Sequence, residues 1–188
     1  MTGQKIDGIE VSNVVKDILK NAVEKLKSEG IEPCLATILV GDDPASTTYV
    51  KNKHNACEKI GIKTKDHKLP AETTQKHLDE IISKLNQDKE VHGILVQLPL
   101  PDHIDEFVTV SRISPIKDVD GLTPQNVGLL SMGKSILKPC TPSGIMEMFY
   151  YYKINLEGKN VVMINRSNLI GKPLTIIIIP RTKPPHPG

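Results

Sequence analysis

The sequence has few aromatic residues and no tryptophan, since four Tyr and two Phe are its complete aromatic set. Proteins that bind single-stranded nucleic acids stack the bases on aromatic rings, so this scarcity argues against that class. Lys and Arg number 24 and Asp and Glu number 22, which leaves a net charge of only +2. With 38% hydrophobic residues, this balance excludes both a disordered chain and a polybasic nucleic-acid binder.

Cysteines and long apolar runs are also scarce. Cys34, Cys57 and Cys140 are odd in number and far apart, which fits neither a disulfide framework nor a zinc site. The N-terminus (MTGQKIDG) lacks the apolar core of a signal peptide, and the run from Leu174 to Ile179 is too short to span a bilayer. We therefore expect a cytoplasmic protein with no membrane or nucleic-acid partner.

Apolar periodicity predicts alternating helices and strands. Helices are expected at 11–26, 44–60 and 74–85, with strands at 34–40, 62–69 and 91–98, a modest helix at 104–113, and further helices starting at Thr123-Pro124 and Thr141-Pro142. Strands that alternate with helices are joined by crossover connections. The sequence therefore predicts an α/β fold with a mostly parallel sheet.

The last part of the chain predicts the start of a dinucleotide-binding unit. Val161 to Ile164 (VVMI) is typical of a buried strand, and the polar turn NRSNLIGKP after it should open a helix. The tail then carries four prolines that exclude a long helix and a second central strand: Pro180, Pro184, Pro185 and Pro187. We expect one domain at 1–136 and an incomplete second domain at 137–188.

Candidate functional side chains follow the predicted strands, where open α/β sheets bind ligands. Tyr49 and Lys53 are one helical turn apart and share a face. A lysine that is partly shielded from water beside a ring can act as an acid, a base or a hydrogen-bond donor, although a solvated basic helix face is equally compatible with the spacing.

Gln97 ends a strand, where its amide can bind a heteroaromatic ring or be a plain edge residue. Asp118 and Asp120 alternate in a D-x-D-G stretch, which is either a turn or a carboxylate site for ring N–H groups.

Two other patterns are weaker. Gly128 to Ser135 (GLLSMGKS) matches the phosphate-loop expression, but no buried strand precedes it and Pro139 follows closely, so nucleoside triphosphate binding is not favoured. His54 and Cys57 have helical i, i+3 spacing without a further His or Cys at a conventional distance. The sequence therefore predicts no metal site.

Six motifs in order closely resemble the bifunctional methylenetetrahydrofolate dehydrogenase/methenyltetrahydrofolate cyclohydrolase family. They lie between Lys5 and Leu174 and read KIDG, VGDDPASTTYVKNK, GILVQLPLP, KDVDGLTPQNVG, KPCTPSG and NRSNLIGKP. The resemblance implies that 5,10-methylenetetrahydrofolate is oxidised with NADP, or NAD in some members. The methenyl product is then hydrolysed to 10-formyltetrahydrofolate in the same cleft, as part of one-carbon metabolism.

The resemblance also implies roles for individual residues. Tyr49 would pack on the folate, Lys53 would be the catalytic lysine of hydrolysis, and Gln97 would tune that lysine. Asp120 would grip the pterin edge. The implied substrate-binding set is Tyr49, Lys53, Val96, Gln97, Leu98 and Asp120.

The implied cofactor-binding set lies in the second half of the chain, and consists of Thr141, Asn165, Arg166, Ser167, Gly171 and Pro173. Arg166 would meet a phosphate, with Ser167 beside it. Asn165 replaces the glycine of the family's Gly-Arg-Ser, and asparagine tolerates positive φ better than most residues. Residues 1–136 would then be the folate-binding catalytic domain, and 137–188 the beginning of a Rossmann-type NAD(P)-binding domain.

The end of the chain departs from the family, whose members continue further. A fragment or altered terminus and a genuinely short chain are both compatible with the sequence. Two alternative functions follow, namely a cyclohydrolase without dehydrogenase activity and a folate-binding or dimerisation module without turnover. The resemblance implies a homodimer, and TIIIIP could add an apolar contact.

Overall fold

The computed structural model describes residues 3–179. Its helices and strands are, in chain order, α1 (Gly8–Ser28), β1 (Cys34–Val40), α2 (Pro44–Ile60), β2 (Lys63–Leu69), α3 (Gln75–Gln87), β3 (Gly93–Val96), α4 (Glu106–Ser111), α5 (Pro124–Ser131), α6 (Cys140–Tyr151) and α7 (Gly171–Ile178). The three strands form a parallel sheet in the order β2-β1-β3. The predicted α/β fold with a parallel sheet is confirmed.

The capping residues explain where the first helices begin and end. The Asp43 carboxylate accepts a hydrogen bond from the Ser46 N–H at 2.7 Å, and Pro44 opens α2 in a first turn where no intrahelical N–H is needed. Gly61 ends α2 in the left-handed conformation that glycine adopts without strain. Thr123 likewise caps α5 as the sequence predicts.

The core lies around the central strand β1, which is buried along nearly all its length. Side chains from β1, β3 and α3 pack together there, and the fully buried ones include Ile38, Leu78, Ile82 and Ile94. β2 is an edge strand with polar residues, which suits a strand that has one neighbour only. The buried side chains of β1 and β3 therefore hold the sheet against α3.

Several element boundaries differ from the sequence prediction, among them those of α6, α4 and β3. α6 begins at Cys140 rather than after a Thr141 cap, and Pro139 at its N-cap position makes no side-chain hydrogen bond. Pro142 fits within the first turn because the N–H that proline lacks has no partner there. α4 and β3 are shorter than expected, since the flanking residues continue into turns.

The predicted buried strand at Val161 to Ile164 is wrong for the described structure. Residues 161–167 have no regular secondary structure, and the side chains of Val162 and Ile164 are 82% and 94% exposed. An apolar run becomes a buried strand only when a neighbouring strand and a covering layer are present, and within residues 3–179 neither lies beside it. The expected helix after the turn is present as α7. The four prolines of the tail lie outside the described residues.

The phosphate-loop match has an ordinary structural role. Gly128 to Ser131, the first half of the phosphate-loop match, lies within α5. A helix there leaves no loop whose N–H groups could surround a phosphate.

Among residues 3–179, none of the helices combines the length and the apolar character needed to cross a membrane.

Candidate active site

A cavity of about 840 Å³ lies between α2, the end of β3 and the start of α6, and we call it the first cavity. Tyr49 and Lys53 line it from α2, as their shared helical face predicts. The Tyr49 ring is 64% exposed and is therefore available to pack on a ligand. All six residues of the expected substrate-binding set line this cavity: Tyr49, Lys53, Val96, Gln97, Leu98 and Asp120.

Lys53 and Gln97 meet across the cavity. The Lys53 amine donates a hydrogen bond to Gln97 Oε1 at 3.4 Å, and both side chains are half-buried. Gln97 Nε2 donates to the Leu98 carbonyl at 2.7 Å. A flipped amide would set Oε1 against that carbonyl oxygen, so the bond to Leu98 fixes the acceptor end of Gln97 toward the lysine.

Asp120 and Cys140 also line the first cavity. Burial raises the pKa of the Asp120 carboxyl, while the Lys53 charge and a hydrogen bond with Cys140 act against the rise. Loss of bulk solvent also raises the pKa of the Cys140 thiol to about 11, and the Asp120 charge adds to this effect. The thiol stays protonated at neutral pH and acts there as a hydrogen-bond donor.

The two aspartates of the D-x-D-G stretch have different environments. Asp118 is 1% exposed and lies beneath the loop, where its carboxylate is hydrogen-bonded to the protein. Asp120 is half-buried and faces the first cavity. Of the two, Asp120 is the carboxylate that a ligand in the first cavity can reach.

The expected cofactor-binding residues do not converge on one place. Thr141 lines the first cavity, whereas Ser167 and Pro173 line a second cavity of about 860 Å³. Asn165 Oδ1 accepts hydrogen bonds from the N–H groups of Ser167 (2.9 Å) and Gly171 (3.1 Å), so it holds the turn before α7. Arg166 is exposed on the same turn.

The second cavity adjoins the first. Four residues form walls of both cavities: Leu98, Leu122, Pro139 and Leu169. The remainder of its lining is mostly apolar, with the Lys172 amine and the Glu106 carboxylate among its charged groups. Two ligands, one in each cavity, would therefore be separated from each other by little more than one layer of apolar side chains.

Sequence reasoning missed the position of Cys140, which it treated only as one of three scattered cysteines. The signal was its place immediately before Thr141, in the motif KPCTPSG. His54 and Cys57 diverge, since Cys57 lines the first cavity while His54 Nδ1 lies 2.9 Å from Asp66 Oδ2 toward β2. These two residues therefore do not form a pair of metal ligands.

Comparison with known proteins agrees with this geometry. Residues 6–120 match the family model of the tetrahydrofolate dehydrogenase/cyclohydrolase catalytic domain, and residues 139–183 match that of its NAD(P)-binding domain. The chain is 68% identical over 179 residues, 95% of its length, to the bifunctional protein FolD of Nitrosopumilus maritimus, of which it covers 62%.

Solved structures show the same relationship. The bifunctional FolD enzyme of Campylobacter jejuni matches with a TM-score of 0.90 at 49% identity, over 93% of this chain and 62% of that one. The Trypanosoma brucei FolD, complexed with NADP cofactor and an inhibitor, matches with a TM-score of 0.91 at 36% identity, over 95% and 62%. The chain thus spans about three fifths of the length of these relatives. With one family model matching more than half of it, the chain belongs to the tetrahydrofolate dehydrogenase/cyclohydrolase family.

Proposed function

We propose that this protein oxidises 5,10-methylenetetrahydrofolate with NADP and hydrolyses the methenyl product to 10-formyltetrahydrofolate. The observation that carries the proposal is the approach of the Lys53 amine to Gln97 Oε1, at 3.4 Å, on the wall of a cavity that also contains Asp120. The FolD relatives are named as bifunctional, and those names support both activities.

For the hydrolytic step, the roles follow from the chemistry of the side chains. The methenyl carbon is already electrophilic, so the attacking water needs mainly a group that takes its proton. We assign that task to the uncharged form of the Lys53 amine, which has a free electron pair and still has N–H groups that donate to Gln97 Oε1. The half-buried setting excludes part of the bulk water, and a positioned acceptor of this kind gains from a fixed geometry.

For substrate binding, the cavity offers complementary groups. The exposed Tyr49 ring can stack on the flat pterin, and the Asp120 carboxylate can accept from the N–H groups at the pterin edge. Val96 and Leu98 add an apolar floor. Together these contacts would orient the one-carbon unit toward Lys53.

We propose NADP as the cofactor, with NAD as the alternative, bound by Thr141, Asn165, Arg166, Ser167, Gly171 and Pro173. The chemistry of this part of the chain fits a dinucleotide, because the exposed Arg166 guanidinium, the Ser167 hydroxyl and the nearby Lys172 amine all suit phosphate groups. When bound, the nicotinamide supplies the acceptor for hydride. The Trypanosoma brucei relative complexed with NADP supports this choice.

Two absorbance assays test the proposal. The first supplies 5,10-methenyltetrahydrofolate alone and follows its decay, and the second supplies 5,10-methylenetetrahydrofolate with NADP and follows reduced nicotinamide. Activity in both supports the proposal. Hydrolysis without reduction would support a cyclohydrolase only, and folate binding without either activity would support a binding module.

We further infer a cytoplasmic homodimer with a domain boundary between residues 136 and 137. The two family-model matches, 6–120 and 139–183, fall on either side of that boundary.

Free cysteines among the described residues suit a reducing compartment. Val14 and Ile18 share one face of α1 and are 41% and 63% exposed, which gives an apolar surface for a second copy. Light scattering coupled to size exclusion measures the mass, and a monomer at all concentrations would refute the dimer.

A further inference from the structure

We propose that Asp118 and Asn126 are positioning residues for folate binding, because their buried hydrogen bonds fix the loop of residues 118–121. By fixing this loop they hold the Asp120 carboxylate at the wall of the first cavity. The inference rests on the proposed function, in which Asp120 is the group that grips the pterin.

The hydrogen bonds of Asp118 are made entirely inside the protein. Its Oδ2 accepts from the backbone N–H of Thr123 and from Nδ2 of Asn126, both at 2.8 Å. Asn126 is itself buried, and its Nδ2 also donates to the Pro115 carbonyl at 2.9 Å. Hydrogen bonds to a charged acceptor are strong, and a buried donor left without its acceptor is costly. These groups therefore hold one another in a single arrangement.

The backbone of the loop is held on two further sides. Asp118 forms a parallel bridge with Ile94 of β3, and the Gly121 N–H donates to the Asp118 carbonyl at 3.1 Å. Gly121 has a positive φ of 63°, and a Cβ there would lie 2.9 Å from the carbonyl carbon of Lys138. The loop is thus pressed between β3 and the chain that leads into α6, with the Asp118 carboxylate beneath it.

The position of Asp120 depends on this arrangement. Asp120 follows Asp118 by two residues in the same short loop, and Cys140 on α6 donates its thiol to the Val119 carbonyl between them at 3.4 Å. If the Asp118 acceptor is lost, the Thr123 N–H and one N–H of the Asn126 amide lose their partner and the loop is free to shift. A displacement of about 1 Å at a binding group is enough to reduce affinity or rate strongly.

The test compares two substitutions of Asp118 that remove the same charge. Asp118→Asn retains an oxygen that can accept both hydrogen bonds, whereas Asp118→Ala leaves the Thr123 N–H and one N–H of the Asn126 amide without an acceptor. We expect the alanine variant to raise KM for 5,10-methenyltetrahydrofolate about tenfold or more relative to the asparagine variant, with a smaller change in kcat. Leu78→Ala, in the core and away from the first cavity, controls for a general loss of stability and should keep the parental KM.

A second readout needs no folate. Carbon-13 NMR titration of the Asp120 carboxyl reports its surroundings in the free protein, and we expect its midpoint to differ between Asp118→Ala and Asp118→Asn. Equal KM values and coincident titration curves for the two variants would overturn the inference. If the parent neither binds nor hydrolyses folate, the proposed function fails, and the titration comparison alone then decides whether Asp118 positions Asp120. Should Asp118→Ala fail to fold, Asn126→Ala, which removes one of the two bonds, takes its place with the same outcomes.

Discussion

Replacement of Lys53 by alanine removes the amine that faces Gln97 Oε1 at 3.4 Å. General acid–base groups typically contribute about 10²- to 10⁴-fold to a rate, which corresponds to about 3 to 5 kcal/mol of activation free energy. Among the described residues that line the first cavity, Lys53 alone carries an amine, and it is the one that contacts Gln97 Oε1. We therefore expect kcat for hydrolysis of 5,10-methenyltetrahydrofolate to fall within that range.

The same substitution should change the fold very little. Lys53 is half-buried and makes one hydrogen bond, and Gln97 keeps its second bond to the Leu98 carbonyl. Loss of one such bond beside a cavity that admits water costs about 1 kcal/mol of the free energy of unfolding. Urea unfolding followed by circular dichroism would separate this small effect from the loss of rate.

Lys51 provides the matched control, because it is an exposed lysine of the same helix and lies outside the lining of the first cavity. Lys51→Ala should hydrolyse the substrate at the parental rate. A folded Lys53→Ala protein whose kcat stays within tenfold of the parental value would refute the assignment of Lys53 as proton acceptor.

Three further outcomes are expected. Gln97→Ala should lower the hydrolysis rate about tenfold, since the Lys53 amine loses its acceptor, and an unchanged progress curve would argue against that contact. Leu78→Ala should lower the free energy of unfolding by about 2 to 5 kcal/mol in urea, because the side chain is fully buried, and a loss below about 1 kcal/mol would contradict the described core. Alkylation of Cys140, followed by peptide mass, should accelerate about tenfold per pH unit from about pH 8 to 10, because the thiolate fraction grows until the pKa of about 11 is passed. A rate that levels off soon after about pH 9 would mean that the Cys140 thiol has an ordinary pKa.

Local signals were enough to predict the first half of the fold. The N-cap at Asp43, the stop at Gly61 and the apolar run of β1 each depend on residues close in sequence. Spacing alone also placed Tyr49 and Lys53 on one helical face. Their proximity to Gln97 follows because α2 comes directly after β1 in the chain, and the Gln97 N–H donates to the Ile38 carbonyl of that strand.

Long-range contacts explain what the sequence could not predict. Residues 161–164 have the composition of a buried strand, but that state needs neighbouring chain, which the described residues do not supply. The pairing of Cys140 with Asp120 joins segments twenty residues apart and has no periodic signal. The burial of Asp118 rather than Asp120 is decided by the donors of Thr123 and Asn126 at the start of α5, which a D-x-D-G pattern does not reveal.

The caps at both ends of α2 affect how precisely this helix positions Tyr49 and Lys53. The helix has 17 residues, about 25 Å in length, and Lys53 is the tenth of them, with more than one full turn of helix on either side. Fraying is confined mainly to the terminal turns of a helix, so the backbone of Lys53 lies in the most rigid part of α2. Tyr49, one turn earlier, moves with it as part of the same rigid body, and thermal motion should therefore change the distance between these two groups far less than it changes the distance from either of them to a loop.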